Sequence, residues 1–137
     1  MVGLFGRPKS VQYLANIERN IDTSGMLVMD YGHFKAVAIG AKDCGAEIKS
    51  TIQGDKGSIA VVGPTNAMPE LSLALNGQEV QVMDQNRPFH RMHDEFVAFE
   101  EIISTKDYAR AQVALDHSRA VMAVLDEAVK SMYSQMN

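Results

Sequence analysis

At 137 residues, with 46% apolar and 22% charged side chains, the chain has the make-up of one soluble globular domain, which excludes disorder, collagen-like repeats and a coiled coil. Thirteen basic against seventeen acidic residues give a formal charge of −4, and no segment concentrates Lys and Arg, so the electrostatic footprint of a nucleic-acid binder is missing. The single cysteine, Cys44, forms no intrachain disulfide. Met1-Val-Gly-Leu-Phe-Gly-Arg-Pro-Lys9 lacks a signal peptide's apolar core, and the longest apolar run, residues 120–125, falls well short of the ~20 residues of a membrane span. A cytoplasmic protein without a membrane partner is expected.

Residues 11–18 come first: Val11, Tyr13, Ala15 and Ile17 alternate with polar Gln12, Asn16 and Glu18 as in a half-buried strand. Asn20-Ile-Asp22-Thr23-Ser24-Gly25 reads as a turn, and residues 26–31, apolar apart from Asp30, as a strand covered on both faces. Residues 34–41 place Phe34, Ala36, Ala38 and Gly40 on one side and Val37 and Ile39 on the other; the small residues leave room for a close neighbour. Residues 47–53 alternate with a polar second face. Gly54-Asp55-Lys56-Gly57 predicts a tight hairpin into residues 58–62. Leu71, Leu73 and Leu75, then Asn76-Gly77, then Val80 and Val82 predict a second hairpin.

The pattern changes after Pro88. Met92, Phe96, Phe99 and Ile103 form one apolar stripe of a helix expected to pack on the sheet. Asp107 is a suitable N-cap for a longer helix to about Tyr133, with Tyr108, Ala111, Leu115, Met122, Leu125 and Val129 as its buried side. Strands followed by helices predict a single α+β domain over residues 1–137, with a mostly antiparallel open sheet and two C-terminal helices on one face.

Motifs with a built-in mechanism do not occur: there is no Gly-x-Gly-x-x-Gly, Walker A loop, His-Glu-x-x-His or Cys-x-x-Cys. The Gly54 to Gly57 turn has the GxxG spacing of an RNA-binding KH loop, but here it joins strands in an acidic chain. His90, His93 and Glu95 have spacing that a metal could use. With Pro88 just before them they read more plainly as the polar start of a helix, so no metal site is assigned. A neighbouring Lys42 could activate the Cys44 thiol, although no His lies near it in sequence and a lone cysteine is usually inert. His33 stands alone. His117, beside Asp116 and Arg119, reads as part of a polar flank. Met92, Met122 and Met132 fall at core spacing.

Taken in order, Leu4-Phe-Gly-Arg-Pro-Lys-Ser-Val11, Ile52-Gln-Gly-Asp-Lys-Gly-Ser-Ile59, His90-Arg-Met-x-x-Glu95 with Phe99, and Ser118-Arg-Ala-Val-Met-Ala-Val-Leu125 resemble the C-terminal half of Gfo/Idh/MocA oxidoreductases, in particular dihydrodiol-dehydrogenase-like members. The match covers nearly the whole chain. The resemblance implies a dehydrogenase C-terminal α/β domain whose helix-free sheet face forms part of the pocket for a sugar, polyol or related hydroxy or carbonyl substrate and associates with another subunit. It also implies an N-terminal Rossmann domain holding NAD or NADP, with the catalytic lysine and the Asp and His ahead of the Leu-Phe-Gly stretch. None of those lies in these residues.

No cofactor is therefore expected to bind this chain and no catalytic residue is assigned to it. Lys42, Asp43 and Cys44 are the candidate substrate-contacting residues that the family layout implies. Expected partners are further copies of the chain, through the open sheet, and a separate or missing Rossmann domain. The alternative is a non-catalytic ligand-binding or protein-interaction module built on the same fold.

Overall fold

The computed structural model describes residues 1–84 and 90–135; Pro88 lies outside them. Antiparallel sheets are followed by C-terminal helices, the α+β architecture that the sequence predicts. The strands fall into two hydrogen-bonded sheets, and the chain into two compact units, residues 1–45 with 105–137 and residues 46–104.

The first unit contains α1 (Val2–Phe5), β1 (Ser10–Glu18), β2 (Ile21–Asp30), β3 (Lys35–Ala41) and α3 (Tyr108–Gln135), with sheet order β1-β2-β3. The turn expected over residues 20–25 falls instead at Arg19-Asn20, and β2 starts at Ile21. Both turn residues have positive φ, 52° and 63°, the backbone of a two-residue hairpin whose twist matches the flanking strands. Asn is well suited to it, whereas Arg gives no sequence signal. Asp22, Thr23 and Ser24, turn formers by type, are held in the strand by cross-strand partners: Asn16 Nδ2 donates to Ser24 Oγ at 2.8 Å, and Tyr13 donates to Asp22.

Register separates the two faces. Tyr13 pairs with Leu27 and Leu27 with Ala38, while Val11 pairs with Met29 and Met29 with Ala36, so these residues share a face with Gly25 and Gly40. Helix α3 lies against β1 on this face, where Met29 (3% exposed), Val124 and Ala128 form the buried apolar core. The buried edge of α3 is thus Val124 and Ala128; of the expected line Ala111 is half-buried, while Tyr108, Leu115, Met122, Leu125 and Val129 are exposed. The helix is turned because its small residues, Ala120 and Ala128, permit the closest approach to the strand. Its start is as predicted, with Asp107 Oδ1 accepting from the Arg110 amide at 3.0 Å.

The opposite, helix-free face carries Leu14, Met26, Val37 and Ile39, all exposed. The N-terminal stretch is fixed by aromatic contact: Tyr31 stacks on Phe34 at 4.7 Å, Phe5 meets both rings edge-on, and the Tyr31 hydroxyl donates to the Gly6 carbonyl. Arg7 pairs with Glu127 of α3. Asp30 accepts from the Gly32 amide and from Lys35 Nζ, closing the β2–β3 connection.

The second unit holds β4 (Lys49–Gly54), β5 (Gly57–Val62), β6 (Glu70–Leu75), β7 (Gln81–Asp84) and α2 (His93–Thr105), with sheet order β4-β5-β6-β7. Both predicted hairpins are present, and their tips are tied together, with Asn76 Nδ2 donating to the Asp55 carbonyl at 2.8 Å. Gly57 is obligatory, since a Cβ there would stand 2.1 Å from the Ala74 carbonyl oxygen. The polar second face read from Lys49, Thr51 and Gln53 continues across the ladder in Ser58 and Ser72. On α2 the stripe Phe96, Phe99 and Ile103 is exposed, Ile103 at 75%. Among the described residues no helix is long and apolar enough to cross a membrane.

Met29, Val124 and Ala128, the buried apolar side chains among the described residues, carry much of the first unit's stability. Met29→Ala is expected to lower unfolding free energy by about 2–3 kcal/mol, measured by urea denaturation, and Leu14→Ala, on the open face, by less than half of that.

Candidate functional site

A groove of about 640 Å³ runs beside α3 over β2 and β3, within the first unit and on the face that carries α3, not on the helix-free face to which the family layout assigns the pocket. Its floor is made of small residues, Gly25, Ala38 and Gly40, and one wall comes from Leu125 and Val129 of α3. The residues expected on the buried side of the helix therefore line an open groove instead. The volume lies in the range of small-molecule sites, which are mostly apolar with a few placed polar groups.

The polar groups gather at one end. Tyr13 crosses over Gly25 so closely that a Cβ at Gly25 would meet the ring at 2.5 Å and the Leu14 carbonyl oxygen at 2.8 Å. This crossing brings the Tyr13 hydroxyl to Asp22 Oδ2, 3.0 Å away. Lys42, the residue following β3, donates from Nζ to Asp22 Oδ1 at 2.9 Å and to the Asp22 carbonyl at 2.8 Å, and its own amide bonds the Thr23 carbonyl. The hydrogen bond from Lys42, with that from Tyr13 next, holds the Asp22 carboxyl below its usual range. Desolvation, followed by the neighbouring carboxylate, pushes the Tyr13 hydroxyl up. At neutral pH Asp22 is thus a carboxylate and the Tyr13 hydroxyl keeps its proton.

Of the three residues singled out from the family layout, Lys42 lines the groove, while Asp43 and Cys44 are exposed outside its lining. Tyr13 and Asp22 are its missed members. Tyr13 was visible only as one position of an alternating strand, and Asp22 was hidden in a run that reads as a turn. The His90 ring accepts from the Met92 amide at 3.3 Å, ahead of α2, in keeping with a polar helix start. Among the described residues no group of His, Cys, Asp and Glu could hold a metal ion.

No family model matches the chain. It is 31% identical over 103 residues to the uncharacterized oxidoreductase YgjR of Escherichia coli (strain K12), an alignment covering 74% of this chain and 31% of that protein. The chain thus spans about a third of the length of the curated relative it matches. Its fold is similar to part of the crystal structure of a putative oxidoreductase from Klebsiella pneumoniae, with a TM-score of 0.69, 21% identity, and coverage of 98% of this chain and 44% of that one. Antiparallel sheets with C-terminal helices are consistent with a dehydrogenase C-terminal domain.

The Asp22 ion pair gives stability a definite pH dependence. A carboxyl whose folded pKa is lowered contributes stability above its ordinary value and loses it as pH falls through the lowered one. Asp22→Asn is expected to be less stable than the parent at pH 7, with the gap closing in strong acid, when both are unfolded in urea across that range. Gly25→Ala is expected to destabilise by about 1–3 kcal/mol at every pH, because it displaces the Tyr13 ring.

Proposed function

We propose that the chain is the C-terminal, substrate-side part of an NAD- or NADP-dependent oxidoreductase of the Gfo/Idh/MocA type, acting on a hydroxy or carbonyl compound such as a sugar or polyol. Its part is to supply one wall of the substrate pocket and the surface through which subunits associate, while the dinucleotide and the proton-transfer groups belong to a Rossmann domain. Similarity to the two oxidoreductases supports the reaction class. The groove with Lys42 at its polar end supports the substrate role.

The observation that carries the association role is the helix-free face of the first sheet, where Leu14, Met26, Val37 and Ile39 stand open together. Contiguous apolar surface of this kind marks a face that another protein covers. A non-catalytic ligand-binding module is the second reading, favoured by the groove being complete within one unit.

The test is a fluorescence titration of the purified chain with NADH and NADPH, with light scattering on the same sample. The proposal expects no saturable cofactor binding and a mass of a dimer or larger, reduced to the monomer by Ile39→Asp. Saturable binding of either dinucleotide would mean that this chain holds the cofactor itself, and a monomeric parent would remove the association role.

A further inference from the structure

The groove is chemically lopsided. Over most of its length it offers Leu27, Ala38, Leu125 and Val129, and a polyhydroxylated ligand lying there would set its hydroxyls against a wall with nothing to bond them. At the polar end the supply of hydrogen bonds is also small. Thr23 Oγ1 is directed to the Asn16 carbonyl and Ser24 Oγ already accepts from Asn16. Lys42 spends two of its three ammonium protons on Asp22. What remains is the third Lys42 proton and the Ser24 hydroxyl proton, beside a charge that is already balanced. An anionic head group placed there would gain little from Lys42 and would be repelled by the Asp22 carboxylate 2.9 Å from it.

We infer that the groove takes a neutral compound with an apolar body and a single carbonyl or hydroxyl oxygen at one end, that oxygen accepting from Lys42 Nζ, in preference to a sugar or an organic anion. This narrows the substrate class within the reading of the groove as a substrate wall, and it rests on that reading. The volume of about 640 Å³ accommodates a ligand of fused-ring size. Leu125 and Val129 would cover it on one side and the Gly25, Ala38 and Gly40 floor would admit its flat face. The tight crossing of Tyr13 over Gly25 fixes the position of Asp22 and, through it, of the lysine.

The probe is prodan, a neutral naphthalene fluorophore with one ketone, titrated into the full chain while its emission is followed. Saturable binding with a blue shift is expected, with sorbitol and naphthalene sulfonate competing poorly. A Cβ at Gly40 meets nothing within 4 Å, so Gly40→Leu fills the groove without a clash and should abolish binding. Lys42→Met should weaken the ketone dye about fivefold, the worth of one hydrogen bond, and leave a ketone-free dimethylaminonaphthalene unchanged. Backbone amide shifts of β2 and β3 on addition of prodan to the parent chain report the location without any variant.

Binding that survives Gly40→Leu, or shifts confined to other strands, would overturn the site. Tighter binding of sorbitol than of prodan in the groove would overturn the ligand class while leaving the oxidoreductase reading standing. Prodan binding as described, together with saturable NADH binding by the same chain, would keep the ligand class and remove the division of labour on which it was placed.

Discussion

β1 is an edge strand, and the amide of Tyr13 points away from β2. Left alone it would be an unpaired donor against the apolar side of a helix, at a cost of about 1–3 kcal/mol. Ser131 of α3 removes that cost by accepting from it at 2.7 Å, while its own hydroxyl donates to the Ala128 carbonyl one turn back. This one bond sets where the helix lies and how it is rotated. It brings Val124 and Ala128 down onto the sheet beside Met29 and covers an edge that would otherwise invite another strand. Arg7, just after the short N-terminal helix, adds a second hold by pairing with Glu127.

The rotation has a consequence for the rest of the face. A helix seated on β1 with its alanine edge down cannot also cover β2 and β3, so its neighbouring line of Leu125 and Val129 is left looking across a floor of small residues. The groove is the space between a helix bound to one strand and a sheet three strands wide. Its polar end arises from the same seam, because the strand position that bonds Ser131 also carries the side chain that reaches Asp22.

Much of this was legible in the sequence, and the failures share a cause. The hairpin glycines, the Asp107 cap and the polar face of β4 could be read because each depends on neighbours in sequence. The start of β2 could not. Asp22, Thr23 and Ser24 prefer turns by intrinsic type, and only partners on β1 and beyond β3 hold them extended. The phase of α3 was misjudged by about one residue for a similar reason: Leu125 and Val129 carry more apolar surface than Val124 and Ala128, but close packing against a strand selects for small size. Lys42 was reached through family resemblance and not through any local pattern. Its two site partners sit 20 or more residues away in sequence, which no periodicity reveals.

The two faces of β3 bring the functional reading to a point. Alternation sends Ala38 and Gly40 toward the groove and Val37 and Ile39 toward the helix-free side. At roughly 25 cal/mol per Å² of apolar surface removed from water, covering Leu14, Met26, Val37 and Ile39 with a second subunit would stabilise the association substantially. The strand therefore divides its duties by side-chain size: large residues where a protein surface can cover them, small ones where a flat ligand can approach the backbone. Subunit association on one side would stiffen the floor on the other without obstructing it, so that in this reading the oligomer supports the pocket and takes no part in lining it.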